Sequence, residues 1–302
     1  MIAHHEKTTW LRCNKRRRCP CCGRPDYCLI SEDGTVCMCM RTPGGKQIET
    51  KLGTAWIHKL DEPIPMPVEP IRKTTPTPAI TDWTAYHDKL LALTDPQAIQ
   101  GLSDSLGVSV ASLTRLGAAF AGPCYHPDGD MPDTWAFPMR DVAGEITGLR
   151  LRANDGRKWS KRGSHGGLFL ADGAIPDQIT LAAITEGPSD AAAVLDLGLY
   201  AIGRQSCSSD VAELVQAMKG VHVVIIGDRD TDHHRPDGTT YRPGQEGAHA
   251  LAAALYRTAR SVKLIFPLLG KDCRQWLREG CSPAILKCVL DNAMNWEPER
   301  KR

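Results

Sequence analysis

The chain has 302 residues, of which 42% are apolar and 24% charged, and a formal net charge of +2. That composition belongs to an ordinary folded protein and excludes a collagen-like or disordered chain. No run of 18 or more apolar residues occurs, so no spanning helix and no membrane partner are expected, and the opening "MIAHHEKTTWLRCNKRRRCP" lacks the apolar stretch of a secretory signal. Twelve cysteines without such a signal point to a reducing, cytoplasmic setting and to metal binding rather than disulfides.

The small net charge conceals an asymmetry. Residues 1–60 hold eleven Lys/Arg against five Asp/Glu, and residues 135–170 hold seven against three. Two basic patches on a nearly neutral chain suit a polyanion held at defined places.

Taken in chain order, residues 1–60 form a module too small to bury much core, and such modules usually need a staple. Seven of the twelve cysteines lie in it, six of them between Cys19 and Cys39. Cys19-x2-Cys22-Gly23 has the spacing of a zinc knuckle, whose Gly lets the backbone turn tightly around the metal. Cys28, Cys37 and Cys39 compete for the two remaining places. A ribbon reading favours Cys37 with Cys39, although Cys-x-Cys is tighter than the usual spacing. Cys13 and Cys21 are expected to stand outside the site. Cysteines 124, 207, 273, 281 and 288 are scattered and read as small core residues. Zinc here would fix a scaffold from which "NKRRR", Arg24, Arg41 and Lys46 can meet a nucleic-acid backbone, with Tyr27 free to stack on a base.

Residues 61–80 contain six prolines and no helical or strand period, and read as an extended linker. Residues 82–121 read as helical, with Leu102, Leu106, Val110, Leu113 and Leu116 at three- and four-residue steps. Gly107 breaks that run as the turn of a helix-turn-helix would. A DNA-reading helix and a plain packing unit both fit. Arg115 as the one base of the second helix favours packing.

"TWAFPMRDVAGEITGLRLR", 134–152, predicts two strands around a turn, followed by a basic, Gly-rich loop and a short strand. From 179 onward strands alternate with helices: "ITLAAIT", "PSDAAAVLDLG", "LYAIGR", "SDVAELVQAMKG", "HVVIIG", "EGAHALAAALYRTA", "SVKLIFPL". Such alternation implies a parallel sheet with helices on its faces. Asp228 and Asp230 follow the strand "HVVII", and Glu186 ends "LAAIT". Ligands of open parallel sheets sit beyond the carboxyl ends of the strands, so these three carboxylates are expected to converge on one crevice. Carboxylates held that close cannot all stay ionised without a cation, and a hard ion with oxygen ligands, Mg²⁺ or Mn²⁺, fits best.

"TEGPSDAAA", "IIGDRDTD", "RPGQEGAHAL" and "GKDCRQWL" together resemble the Toprim domain shared by bacterial-type primases, topoisomerases and some nucleases. The resemblance covers about residues 179–280. It implies metal binding by Asp228 and Asp230, with Glu186 as metal ligand or general base on an attacking 3′-hydroxyl, Lys271 and Asp272 as the downstream Lys-Asp motif, and Asp232 as a further ligand. The chain departs from the primase pattern at Arg274 and Gln275, where a second Asp is often found.

The segment before it, "WAFPMRDVAGEITGLRLR" with "GRKWSKRGSHGGLFL", resembles the corresponding part of DnaG-type and phage primases. That likeness implies contacts from Arg150, Arg152, Lys158, Lys161 and Arg162 to template phosphates or the incoming triphosphate. The cysteine stretch resembles phage-type primase zinc modules, which favours Cys28 and Cys39 as the last two ligands, with Cys37 the alternative.

The fold expected is α/β. A zinc-binding module (1–60) and a linker (61–80) precede a helical and basic α+β primase subdomain (81–178). A Toprim parallel sheet flanked by helices (179–281) and a C-terminal helix with the basic tail "WEPERKR" (282–302) follow. The function implied is a phage, plasmid or mobile-element DNA primase, condensing ribonucleoside triphosphates on single-stranded DNA. No G-x4-G-K-[ST] phosphate loop is present, so a replicative helicase would be a separate partner. The rivals are a non-catalytic DNA-binding protein of the RecR type, a Toprim nuclease, and a degenerate primase serving as loader or regulator. The basic segment 134–170 and the retained carboxylates speak against the first.

Overall fold

The computed structural model describes residues 10–15, 17–50, 53–64, 82–126, 129–234 and 239–298. Most of the Pro-rich linker, residues 65–80, lies outside the described residues. Two compact units result, one within residues 10–64 and a larger one built from 82–233 and 240–298.

The small unit is an antiparallel sheet of β1 (Trp10–Arg12), β2 (Leu29–Ser31), β3 (Val36–Cys39), β4 (Lys46–Thr50) and β5 (Gly53–Lys59), in the order β1-β2-β3-β5-β4. Its buried cluster consists of Cys13, Cys19, Cys28, Ile30, Cys37 and Cys39. With one aliphatic side chain among six, hydrophobic transfer alone holds this unit weakly, as the sequence implied.

The large unit begins with α1 (Trp83–Ala92), α2 (Pro96–Leu106) and α3 (Val110–Arg115). Gly107 takes a φ of 69° as the left-handed cap of α2, and Ser109 caps α3 through the N–H of Ser112. Helix was expected as far as 121, but the chain turns to strand at Ala119. Gly117, at φ 69°, ends the helical run with its carbonyl held by His87 at 2.7 Å. The helices are a packing unit: Leu102, Leu106, Leu113 and Leu116 join one buried cluster with Ala191, Val194 and Trp276, and Arg115 is spent on Asp172 at 2.7 Å.

An antiparallel sheet follows, in the order β6 (Ala119–His126), β7 (Gly129–Arg140), β8 (Ile146–Ala153), β9 (Lys158–Ser160). In β8 the two-residue period buries Leu149, Leu151 and Ala153, the two leucines in a core with Trp83, while Arg150 and Arg152 share the opposite face. In β9, Lys158 stands directly opposite Arg152, and Ser160 opposite Arg150.

The second sheet runs β10 (Phe169–Leu170), β12 (Ala201–Arg204), β11 (Leu181–Glu186), β13 (His222–Ile226), β14 (Ser261–Ile265). The last four are mutually parallel, as the alternation implied, and Ala182–Thr185 and Val223–Ile226 are continuously buried because helices cover both faces. On one face lie α4 (Pro188–Asp196), α7 (Cys273–Arg278) and α8 (Pro283–Asn292); on the other lie α5 (Val211–Ala217) and α6 (Pro243–Leu255). The edge strand β10 was not anticipated as part of this sheet. It runs antiparallel to β12, and Leu168 bridges to Arg140 at the end of β7. One short segment thereby ties the basic sheet to the parallel one. Beyond α8 the chain is docked: the Trp296 N–H donates to the Val262 carbonyl at 2.7 Å.

Candidate active site and cysteine cluster

The carboxyl ends of β11 and β13 meet the exposed face of β8 and β9 in a cleft of about 260 Å³. From the parallel sheet and the turn after it come Glu186 and Asp228; from the loop into α7 and its first turn come Lys271, Asp272 and Arg274; from the basic sheet come Arg150, Arg152 and Lys158. Of the residues singled out in the sequence, these are the ones gathered in the cleft.

Local chain geometry explains the convergence. Gly187 takes a φ of 81°, and its N–H donates to the Arg204 carbonyl at 2.7 Å, so the chain turns sharply off β11 and Pro188 opens α4. Gly203 passes so close that a Cβ there would lie 2.7 Å from the Gly187 carbonyl oxygen. Gly244 lets α6 approach the loop after β13. Its N–H donates to Asp230 Oδ2 at 2.7 Å, and a Cβ would lie 2.9 Å from both that oxygen and the Asp228 carbonyl.

The acids differ in state. Burial, then the neighbouring Asp190, Glu186 and Asp272, push the Asp228 carboxyl up to about 8. Burial and Asp230 raise Glu186 as well. Burial works against ionising Asp230 too, but the Lys271 ammonium at 2.8 Å and the Gly244 N–H outweigh it and hold the carboxyl below the usual range. Asp230 therefore adjoins the cleft through Lys271. Asp232, by contrast, faces away: it pairs with Arg242 at 2.6 Å in a separate open groove.

Asp190 was missed by the sequence reading. It sits in the first turn of α4, four residues after Glu186, is 4% exposed, and lines the cleft beside Asp228. Burial, then Asp272, raise its carboxyl to about 6. Its counterion is Arg274, whose backbone N–H lies 3.3 Å and whose Nε lies 3.8 Å from Oδ1. Arg274 also reaches Asp272 at 3.1 Å, and Asp272 caps α7 through the Gln275 N–H at 2.9 Å. Gln275 in turn accepts the Lys271 N–H at 2.6 Å. The two departures from the family pattern thus act within this corner as counterion and loop clamp. The spacing Glu186 to Asp190 on a helix start was the signal available in the sequence.

Opposite the acids, Arg152 and Lys158 face one another across the strand pair, an arrangement that like charges disfavour. Desolvation in the cleft lowers the basicity of both, and the charge of Arg152 lowers Lys158 further, although Lys158 keeps access to solvent. Neither side chain has a hydrogen-bond or ion-pair partner among the described residues. Arg150 touches Ser160 at 3.3 Å. Lys161 and Arg162 lie outside the cleft; Lys161 stands over the Tyr86 ring at 5.1 Å, and Arg162 is exposed.

The cleft fits a hard divalent cation. It offers oxygen donors, burial and then the neighbouring acids keep Asp228 from ionising readily, and the buried Ser189 hydroxyl lining it has no partner among the described residues.

In the small unit, the sulfurs of Cys19, Cys22, Cys28 and Cys39 lie within 4.8 Å of one another. Cys22 and Cys28 are 3.7 Å apart, and Cys28 and Cys39 are 3.9 Å apart. Zn–S bonds of about 2.3 Å in a tetrahedron require S···S edges of about 3.8 Å, whereas a disulfide would need about 2.05 Å. Burial opposes ionisation of Cys39, but the N–H groups of Arg41 and Thr42, at 3.4 and 3.2 Å, draw the thiol down to about 7. The donor set suits Zn²⁺. Cys37 stands apart from these four, 3.5 Å from Cys19 on its other side.

No family model matches the sequence, and no curated protein matches it. Among solved structures, the chain is similar to the DnaG primase catalytic domain bound to single-stranded DNA, at 17% identity and TM-score 0.55, over 70% of this chain and 78% of that one. It is similar to a DNA primase domain from Pseudomonas aeruginosa at 15% identity and TM-score 0.52, over 70% and 78%. It is also similar to the zinc-binding and RNA polymerase domains of the Aquifex aeolicus primase at 12% identity and TM-score 0.52, over 70% and 60%. The chain has the fold of the DnaG-type primase catalytic core.

Proposed function

We propose that this protein is a DNA primase, which copies single-stranded DNA into short RNA by condensing ribonucleoside triphosphates and releasing pyrophosphate. The observation that carries the reading is the pairing of unneutralised cations with crowded acids across one cleft. Arg152 and Lys158 face Glu186, Asp228 and Asp272, so a polyphosphate entering between them removes the cross-strand repulsion.

Glu186, Asp228 and Asp230 would hold Mg²⁺ or Mn²⁺, which supplies positive charge against the triphosphate and the developing 3′-alkoxide. The protein's own groups do the rest. Arg150, Arg152 and Lys158 bind phosphates and fix the incoming nucleotide, with Lys161 and Arg162 along the adjoining template path. Glu186, its carboxyl raised by burial and by Asp230, would take the 3′-hydroxyl proton. Lys271 balances charge beside Asp230, and Asp272 holds the start of α7 and Arg274 in place. Asp232 serves as a peripheral carboxylate. The zinc site of Cys19, Cys22, Cys28 and Cys39 shapes a module that helps select the template start.

The setting is replication of a phage, plasmid or other mobile element in the cytoplasm, beside a separate helicase. No helix among the described residues is long and apolar enough to cross a membrane.

The test is primer synthesis. Purified protein receives single-stranded DNA, four ribonucleotides with one labelled, and Mg²⁺ or Mn²⁺, beside Glu186→Gln and Asp228→Asn. Labelled short RNA from the wild type alone supports the proposal. Template degradation would replace it with a nuclease, and binding without product on any template would leave a binding protein.

A further inference from the structure

One zinc ion uses four of the seven cysteines in the N-terminal unit. The other three do not scatter. Cys19, Cys21 and Cys37 form a second group whose sulfurs also lie within 4.8 Å of one another, with Cys19 and Cys37 at 3.5 Å. Cys13, also buried, lies outside that 4.8 Å group and is the one cysteine of the unit left over for a fourth corner. Cys19 therefore belongs to both groups, with Cys22, Cys28 and Cys39 in one and Cys21 and Cys37 in the other.

We propose that the N-terminal unit holds two thiophilic divalent cations, zinc in the first instance, with the Cys19 thiolate bridging them. The inference extends the zinc site proposed above and rests on it. A thiolate sulfur has lone pairs enough for two metals. Two tetrahedra sharing one corner need seven donors, and this unit contains seven cysteines: six stand in the two groups, and a small shift of Cys13 would supply the last corner.

Three physical features favour the arrangement. Cys13 and Cys37 are buried, at 5% and 0% exposure, in a cluster where Ile30 is the one aliphatic member, so the second ion would bind where the unit lacks other cohesion. Seven thiols release seven protons on binding two divalent ions, leaving a formal charge near −3 that needs donors around it. Donors are present: the N–H groups of Arg41 and Thr42 donate to the Cys39 sulfur at 3.4 and 3.2 Å. The Arg41 guanidinium lies 3.8 Å from the Cys28 sulfur, and the charge of Arg17 acts on Cys13. By contrast, a single ion would leave three thiols packed against a thiolate with no role.

The experiment uses the full chain, purified with zinc supplied and without chelator, with metal counted by mass spectrometry and the same protein exchanged into ¹¹³Cd for NMR. Two zinc ions per chain and two cadmium resonances split by coupling through a shared sulfur are expected. Cys21→Ser and Cys13→Ala, tested separately, should each fall to one zinc per chain while the fold of the larger unit persists. One zinc in the wild type overturns the second site and leaves the first. No zinc overturns both. Two cadmium signals without mutual coupling overturn the Cys19 bridge.

Discussion

Asp228→Asn should make the protein more stable and its active site useless. The Asp228 carboxyl moves from 3.8 to about 8 on folding, chiefly through burial and then through Asp190, Glu186 and Asp272. A raised carboxyl means the folded state holds a proton that the unfolded state has released, so stability falls as pH climbs from about 4 to about 8 and is flat beyond. Four units at 1.36 kcal/mol each set a ceiling of about 6 kcal/mol. Neighbouring acids share the repulsion and adjust when one is neutralised, so about half of that, roughly 3 kcal/mol, is the expected gain for the isosteric amide at pH 8. For a unit of this size that corresponds to about 6–12 °C in Tm. Thermal unfolding followed by circular dichroism in Mg²⁺-free buffer at pH 5 and pH 8 reads it directly, and the gain at pH 5 should shrink to under about 1 kcal/mol. Adding Mg²⁺ should raise the Tm of the wild type and leave that of the variant in place, narrowing the gap. An Asn variant equal to or weaker than wild type at pH 8 without Mg²⁺ would refute the account of a strained, cation-seeking carboxylate.

Arg274→Leu removes the counterion of buried Asp190 and should cost about 3 kcal/mol at pH 7.5 in the same unfolding assay; adding Asp190→Asn should recover most of it. Arg152→Ala and Lys158→Ala each remove one side of a like-charge pair, so stability should hold or rise slightly. Their single-strand affinity should fall, and the slope of log K against log salt should become shallower by about 0.7 for each phosphate no longer neutralised. Stripping zinc with a chelator should unfold the N-terminal unit, seen as protease cleavage within residues 10–64, while the larger unit keeps its Tm, because the small unit's buried cluster contains a single aliphatic side chain.

Much of this molecule is local, and local features were legible. The alternation of apolar strands with helices from 179 announced a parallel sheet, because strands covered on both faces are continuously apolar and their crossovers are helices. Gly187 and Pro188 mark where the chain must turn after Glu186, and the strand-end positions of Glu186 and Asp228 followed from where a parallel sheet leaves room. The two-residue period of "LRLRA" put Arg150 and Arg152 on one face. Cys19-x2-Cys22-Gly23 named a metal knuckle through spacing alone.

What the sequence could not set was anything decided by contact between distant segments. Asp190 reads as one more polar residue at a helix start until Asp272 and Arg274, more than eighty residues on, close over it. Asp232 shares a loop with Asp228 and Asp230, yet Arg242 draws it into another groove. Spacing could not choose among Cys28, Cys37 and Cys39: Cys37 and Cys39 share one face of β3, and only the folded chain brings Cys39 together with Cys22 and Cys28 and leaves Cys37 with Cys21. Strand β10 belongs to the parallel sheet by a register formed across more than thirty residues. Periodicity reports which face of an element is buried; only the packed chain decides what that face meets, and here the cleft's charge pattern and the second cysteine group both arise from such meetings.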